Sequence, residues 1–229
     1  MAYSELVESL KGKLIVSVQA YPGEPMRHPE TMAQIARACE LGGAAAIRCQ
    51  GLSDISAIKG MVEIPVIGLW KEGHEGVYIT PTFRHARACI HAGADVVALD
   101  ATYRPRPDGR TFEETVAALR AESDVLIMAD CMTMDDIRRA VAAGCDLVST
   151  TLSHNKAAID TTLDDGPDIA LLQQATTEFP GIAIICEGHV HTPQDAKDAL
   201  DAGAWAVVSG TAITHPTSIT SWFAAALED

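Results

Sequence analysis

Short apolar runs alternate with Ala-rich amphipathic stretches along the whole chain. The apolar runs predict strands near 14–19, 45–49, 66–70, 95–99, 125–130, 147–150, 182–187 and 206–209. Between them the helical period predicts helices over 30–41, 53–61, 82–92, 111–122, 133–143, 168–178, 193–202 and 216–227. Eight alternations within 229 residues predict an α/β fold. Its form is one (β/α)8 TIM barrel spanning residues 1–229, with a short N-terminal helix before the first strand. A doubly wound open sheet is the rival, but no G-x-G-x-x-G turn follows the first strand, which weakens its dinucleotide-binding form.

A repeat argues for closure. Leu41-Gly42-Gly43-Ala44, Ala92-Gly93-Ala94-Asp95, Ala143-Gly144-Cys145-Asp146 and Ala202-Gly203-Ala204-Trp205 each precede an even-numbered strand. Gly42 to Gly93 and Gly93 to Gly144 are both 51 residues apart, and the last interval, to Gly203, is 59. Each glycine suits the residue after a helix, where φ is positive, and the period fits a barrel of four quarters. Helix starts are legible in Thr133-Met134-Asp135-Asp136 and Thr192-Pro193-Gln194-Asp195, a Thr cap before an acidic first turn.

Composition narrows the partners. The chain carries 31 acidic against 17 basic residues, a formal charge of −14, which repels nucleic acid and anionic membranes. An anionic small substrate then needs local cations and backbone N–H groups to reverse the field. Six widely spaced cysteines without a C-x-x-C pair fit a reducing cytoplasm. Met1 to Lys11 reads as an amphipathic helix without a signal-peptide core. Only 5% of residues are aromatic, so Ala, Val, Ile and Leu must build the core.

The candidate chemistry sits where strands end. Pro65-Val66-Ile67-Gly68-Leu69-Trp70-Lys71 closes an apolar run on a lysine, and a Gly-rich loop follows. The odd strands end on Gln19, Lys71, Asp130 and Glu187, and the even strands add Arg48 and Asp100, with Thr150 and Thr151 after strand six. A lysine, an aspartate and a glutamate at one level form a general acid/base set; a structural ion-pair network is the other reading. Burial is expected to raise the Glu187 pKa, and Asp130 to favour charged Lys71. Gly188 and Gly210, after strands seven and eight, stand where phosphate-binding barrels hold a phosphate on loop amides. Glu187, His189 and His191 alternate like metal ligands, but no third histidine or carboxylate is fixed by the sequence, so no metal is expected.

These residues carry a resemblance. Val16-Ser17-Val18-Gln19-Ala20, Ala46-Ile47-Arg48, Gly68-Leu69-Trp70-Lys71, Val77-Tyr78-Ile79-Thr80-Pro81-Thr82, Ala98-Leu99-Asp100-Ala101-Thr102, Arg106-Pro107-Asp108-Gly109, Met128-Ala129-Asp130-Cys131, Thr150-Thr151-Leu152-Ser153, Glu187-Gly188 and Gly210-Thr211-Ala212-Ile213-Thr214 resemble the N-acetylmannosamine-6-phosphate 2-epimerase family. The resemblance implies a (β/α)8 barrel, no cofactor, a homodimer, and an amino-sugar phosphate as substrate. It implies Lys71 and Glu187 as the acid/base residues and Asp130 as the group orienting Lys71. Gln19 and Arg48 would contact substrate, with Gly188, Gly210, Thr211 and His215 on its phosphate side. Four strand-end loops depart from the family pattern: Glu72-Gly73 stands for Arg-Asp, His189 for Arg, Ser153-His154-Asn155-Lys156 for Ser-Gly-Tyr-Thr, and His215 for the phosphate-side Arg. A related epimerase acting on an unphosphorylated N-acylhexosamine is therefore an alternative. So are a Schiff-base aldolase using Lys71 and a sugar-phosphate sensor without catalysis.

Overall fold

Eight parallel strands hydrogen-bond in sequence order and the last returns to the first, which closes a barrel. They are β1 (Leu14–Val18), β2 (Ala46–Gln50), β3 (Val66–Leu69), β4 (Val96–Asp100), β5 (Leu126–Asp130), β6 (Leu147–Ser149), β7 (Ile184–Glu187) and β8 (Ala206–Ser209). The helices are α1 (Glu5–Ser9), α2 (Pro29–Leu41), α3 (Leu52–Lys59), α4 (Phe83–His91), α5 (Phe112–Glu122), α6 (Met134–Ala142), α7 (Ile169–Glu178), α8 (Pro193–Asp201), α9 (Thr211–Thr214) and α10 (Pro216–Ala225). This computed structural model describes residues 4–153 and 165–228; His154, Asn155 and Lys156, singled out in the sequence, lie outside them.

Local chemistry sets the helix starts. Thr111 with Glu114, Thr133 with Asp136 and Thr192 with Asp195 each form a reciprocal capping box, the last with Pro193 in the first turn. Such a cap is worth roughly 1 kcal/mol. The glycine repeat needs one correction. Gly42 has φ −76 and caps α2, whereas Gly43 has φ +100 and occupies the position of Gly93, Gly144 and Gly203. The first interval is thus one residue shorter than the second.

Strand alternation creates two cores. Ile15, Ile67, Leu69, Met128, Ile185 and Val208 belong to a cluster inside the barrel. Their neighbours Val16, Val66, Ile127, Ala129, Ile184 and Val207 pack with the surrounding helices. Val7 and Leu10, in and just after α1, join the inner cluster, and Trp205 donates its indole N–H to the Val7 carbonyl at 2.9 Å. The barrel is therefore filled and stoppered at the N-terminal ends of its strands. Continuing the same alternation toward the other ends places Ser17, Arg48, Asp100, Asp130, Ser149 and Glu187 on inward positions above the apolar filling, all buried. Polar side chains there meet other polar side chains.

Two elements were not foreseen. The short helix α9 intervenes between β8 and α10. The loop after β3 returns on itself: Lys71 bridges Ile79 in antiparallel fashion, and Glu72 N–H and Thr80 N–H donate to the carbonyls of Tyr78 (3.0 Å) and Trp70 (2.8 Å). Thr80 closes this hairpin at φ +47 while fully buried, and its hydroxyl accepts from Trp70 N–H at 3.1 Å. A β-branched residue held there stores roughly 1 kcal/mol of strain or more, and the hydrogen bonds on both sides fix it.

Candidate active site

The mouth of the barrel is organised by Arg48. Its guanidinium gives both Nη atoms to Asp130, at 3.0 Å and 2.8 Å, in a fork that a carboxylate matches. Its Nε lies 3.0 Å from Glu187 Oε1 but misaligned as a hydrogen bond, so that contact is Coulombic. Arg48 and Asp130 are essentially inaccessible to solvent. Burial alone works against the Arg48 charge, but Asp130 and Glu187 outweigh it and hold the guanidinium above its ordinary pKa. One deep cation thus serves two carboxylates.

Thr151, just past β6, completes this cluster. Its hydroxyl oxygen lies 2.7 Å from Ser149 Oγ, 2.8 Å from Asp130 Oδ1 and 3.1 Å from Glu187 Oε2. A hydroxyl has one proton to donate and two lone pairs to accept with. If it donates to Asp130 and accepts from Ser149, its remaining contact is satisfied when Glu187 carries a proton. The electrostatics agree in direction: burial, joined by Asp130, raises the Glu187 pKa against the opposing pull of Arg48, Thr151 and Lys71.

Lys71 stands apart. Its ammonium has no hydrogen bond or ion pair among the described residues, and it faces the Tyr21 ring, 5.6 Å from the centroid. Desolvation, and then Arg48, bring its pKa down from 10.5 to about 8; Glu187 and Asp130 favour the charged form without restoring it. Here the structure departs from the expectation that Asp130 orients Lys71. Both Asp130 oxygens face Arg48, because Arg48 lies beside Ile67, two inward positions below Lys71 on the β3 side, at a depth where it reaches across to β5.

The remaining predicted residues divide. Gln19 gives its amide N–H to Ser17 Oγ at 2.9 Å, while its Oε1 is buried without a donor. Gly188 has φ +108, a conformation that favours glycine, and Gly210 caps α9 against Ser17, whose Cβ lies 3.1 Å from where a Gly210 side chain would begin. Thr211 opens α9 beside it. Asp100 belongs to a separate structural pair: its carboxylate accepts from Thr102 N–H (2.9 Å), Thr102 Oγ1 (2.6 Å) and Arg104 (2.6 Å). The His191 ring packs at a tilt against His189 (5.7 Å between centroids) and against Trp222 (4.8 Å), and no metal-holding group of three His, Cys, Asp or Glu occurs among the described residues.

His215 differs from an open anion-binding side chain. It is buried, its Nδ1 accepts from Ser218 N–H (3.3 Å) and meets Ser218 Oγ (2.6 Å), and its Nε2 lies 2.6 Å from Glu24 Oε1. Tyr21 approaches it edge-on at 5.1 Å. Tyr21 and Glu24 were missed in the sequence. Pro22-Gly23 was the available signal: Gly23 has φ +91 and Glu24 N–H donates to Tyr21 O at 3.1 Å, a turn of the Pro-Gly type that brings both side chains to one histidine.

With this geometry in hand, comparison with known proteins places the chain. Residues 32–229 match the family model NanE, described as "Putative N-acetylmannosamine-6-phosphate epimerase". The chain belongs to this family. A Cutibacterium acnes protein named "Putative N-acetylmannosamine-6-phosphate 2-epimerase" is 56% identical over 223 residues, covering 97% of this chain and 96% of that protein. A Corynebacterium glutamicum protein with the same name is 48% identical, covering 98% and 97%. The solved N-acetylmannosamine-6-phosphate 2-epimerase from Clostridium perfringens superposes with a TM-score of 0.89 at 37% identity, covering 99% of this chain and 98% of that one. A thiamine phosphate pyrophosphorylase from Pyrococcus furiosus, at 15% identity and a TM-score of 0.62, shares the fold alone. Membership in the NanE family agrees with the closed eight-stranded barrel.

Proposed function

We propose that this chain is an epimerase that interconverts N-acetylmannosamine 6-phosphate and N-acetylglucosamine 6-phosphate by proton transfer at C2. The observation that carries the reading is a lysine without an ion-pair partner among the described residues, its pKa brought down to about 8, within electrostatic reach of a buried glutamate whose pKa is raised, in a chain of the NanE family. A lysine brought down toward neutrality and a glutamate brought up from the usual carboxylate range suit exchange of a carbon-bound proton near pH 7.

The C2 hydrogen is acidic only when the sugar ring is open and C1 is an aldehyde. Neutral Lys71 or ionised Glu187 then takes the proton, the C2–H electrons pass into an enediolate, and the other residue, protonated, delivers a proton to the opposite face. The developing oxyanion needs a cation, which protonated Lys71 supplies in one direction of the reaction. Arg48 keeps its charge throughout and holds Glu187 and Asp130 in place. The buried Gln19 Oε1 is free to accept from a sugar hydroxyl. The phosphate group would lie on the backbone amides around Gly188, Gly210 and Thr211, with His215 behind them.

The enzyme acts in this reading without a cofactor, in a reducing cytoplasm, consistent with six free thiols. As a homodimer it would cover the exposed Phe223 and Leu227 at the end of the chain. The test is incubation with each sugar phosphate separately and chromatographic separation of the epimers. Convergence of both on one ratio supports the reading, and no interconversion of either defeats it. Borohydride trapping is expected to leave Lys71 unmodified; a stable adduct there would favour an aldolase.

A further inference from the structure

Lys71 must keep one position and a tuned proton affinity, yet no acceptor among the described residues holds its ammonium. What it meets is an aromatic face. The Tyr21 ring lies beneath Lys71 Nζ, 5.6 Å from the centroid, within the range where a ring quadrupole attracts a cation. Tyr21 is itself held through its backbone and through its ring. Its backbone carbonyl closes the Pro22-Gly23 turn, its edge abuts His215 at 5.1 Å with the ring planes at 82°, and His215 is pinned between Glu24 and Ser218. The phenol stays neutral, since burial, followed by Tyr78, Glu24 and Glu187, pushes its pKa up to about 12.

We propose that Tyr21 is a positioning residue for Lys71: its ring, locked by the Glu24–His215–Ser218 array, supports the ammonium from below and favours its charged form. This inference rests on Lys71 being the proton-transfer residue. The ring works against the desolvation that lowers the Lys71 pKa, so proton affinity reflects Tyr21 as well as the charges around it. Those charges come from other elements: Arg48 on β2, Asp130 on β5 and Glu187 on β7. A change confined to Tyr21 leaves all three in place and isolates the ring. The hydroxyl has no assigned part, so the conservative variant Tyr21→Phe keeps the device, and Tyr21→Leu removes it while keeping an apolar cover.

The test reads Lys71 directly and without substrate. Wild type, Tyr21→Phe and Tyr21→Leu are labelled competitively with acetic anhydride across pH ~6–10, and the Lys71 peptide is quantified by mass spectrometry. Thermal melts accompany each variant to confirm folding. Tyr21→Leu is expected to lower the Lys71 titration midpoint by about half to one pH unit, and Tyr21→Phe to leave it in place. On sugar phosphate, kcat should fall roughly three- to tenfold in Tyr21→Leu with little change in KM, and Tyr21→Phe should restore it. An unchanged or raised midpoint in Tyr21→Leu, or an equal shift in both variants, overturns the inference. If the midpoint moves as expected while wild type fails to exchange C2, the positioning role stands and the proposed reaction falls.

Discussion

The two sides of the barrel mouth are built on opposite principles. On the β5–β7 side, Asp130, Glu187, Ser149 and Thr151 are interlocked around Arg48 at 2.7–3.1 Å, nearly sealed from solvent. On the β1–β3 side, Lys71 has an aromatic face and no ion pair among the described residues, and Gln19 presents an oxygen that none of their donors reaches. The paired side has most of its polar groups committed to one another. The other side has groups that a ligand can satisfy. Burying unsatisfied polar groups costs ~1–3 kcal/mol each, a cost recovered when substrate arrives. The contrast predicts that damage to the unpaired side reduces chemistry and spares the fold, whereas damage to the paired side reduces both.

The sharpest break is Lys71→Ala. Loss of a general acid/base group lowers turnover by ~10²–10⁴-fold, and the fold should survive because no buried partner is stranded. Retention of more than about half of wild-type kcat would remove Lys71 from the mechanism. Next comes Arg48→Leu, which leaves two buried carboxylates without their cation. A loss of ~3–5 kcal/mol in denaturant stability is expected, and one below ~1 kcal/mol would show that the carboxylates can protonate or rearrange at little cost.

Asp130→Asn should act through its neighbours. Asp130 is one of the charges that raise the Glu187 pKa, and its removal also frees Arg48 for Glu187. Both effects lower that pKa, so the limb of the kcat/KM profile belonging to Glu187 should move to lower pH. A limb that moves upward, or a raised KM with the profile unmoved, would make Asp130 a substrate ligand instead. The smallest effect is expected at Gly188→Ala. Its φ of +108 disfavours a side chain although the nearest atom to a Cβ, Thr151 O, is 3.8 Å away. The expected cost is about 1–2 kcal/mol of stability, from backbone strain rather than collision.

Much of this was legible in the chain. Continuous apolar runs that stop at Asp130 and Glu187 placed both residues at strand ends, and Thr-led acidic turns marked α6 and α8. Lys71 lies just past its strand, in the hairpin, rather than in it. Partner choice was not legible. Whether Asp130 meets Lys71 or Arg48 depends on how far each strand rides past its neighbour, a property of barrel stagger that no local pattern encodes. Asp100 ended a strand like the others, yet its carboxylate is taken by Thr102 and Arg104 a few residues on. The Tyr21–Glu24 turn carried a Pro-Gly signal, but its meaning depends on His215, nearly two hundred residues later, being packed against it.

The central claim is that Lys71 and the buried Glu187 exchange the hydrogen at C2. Proton NMR in deuterium oxide, with N-acetylmannosamine 6-phosphate and each of wild type, Lys71→Ala and Glu187→Gln, tests it most directly. Wild type should lose the C2 proton signal while the N-acetylglucosamine 6-phosphate signals grow, and each variant should be slower by at least ~10²-fold. Epimerisation by wild type with the C2 proton retained, or exchange at the wild-type rate in either variant, would contradict the account.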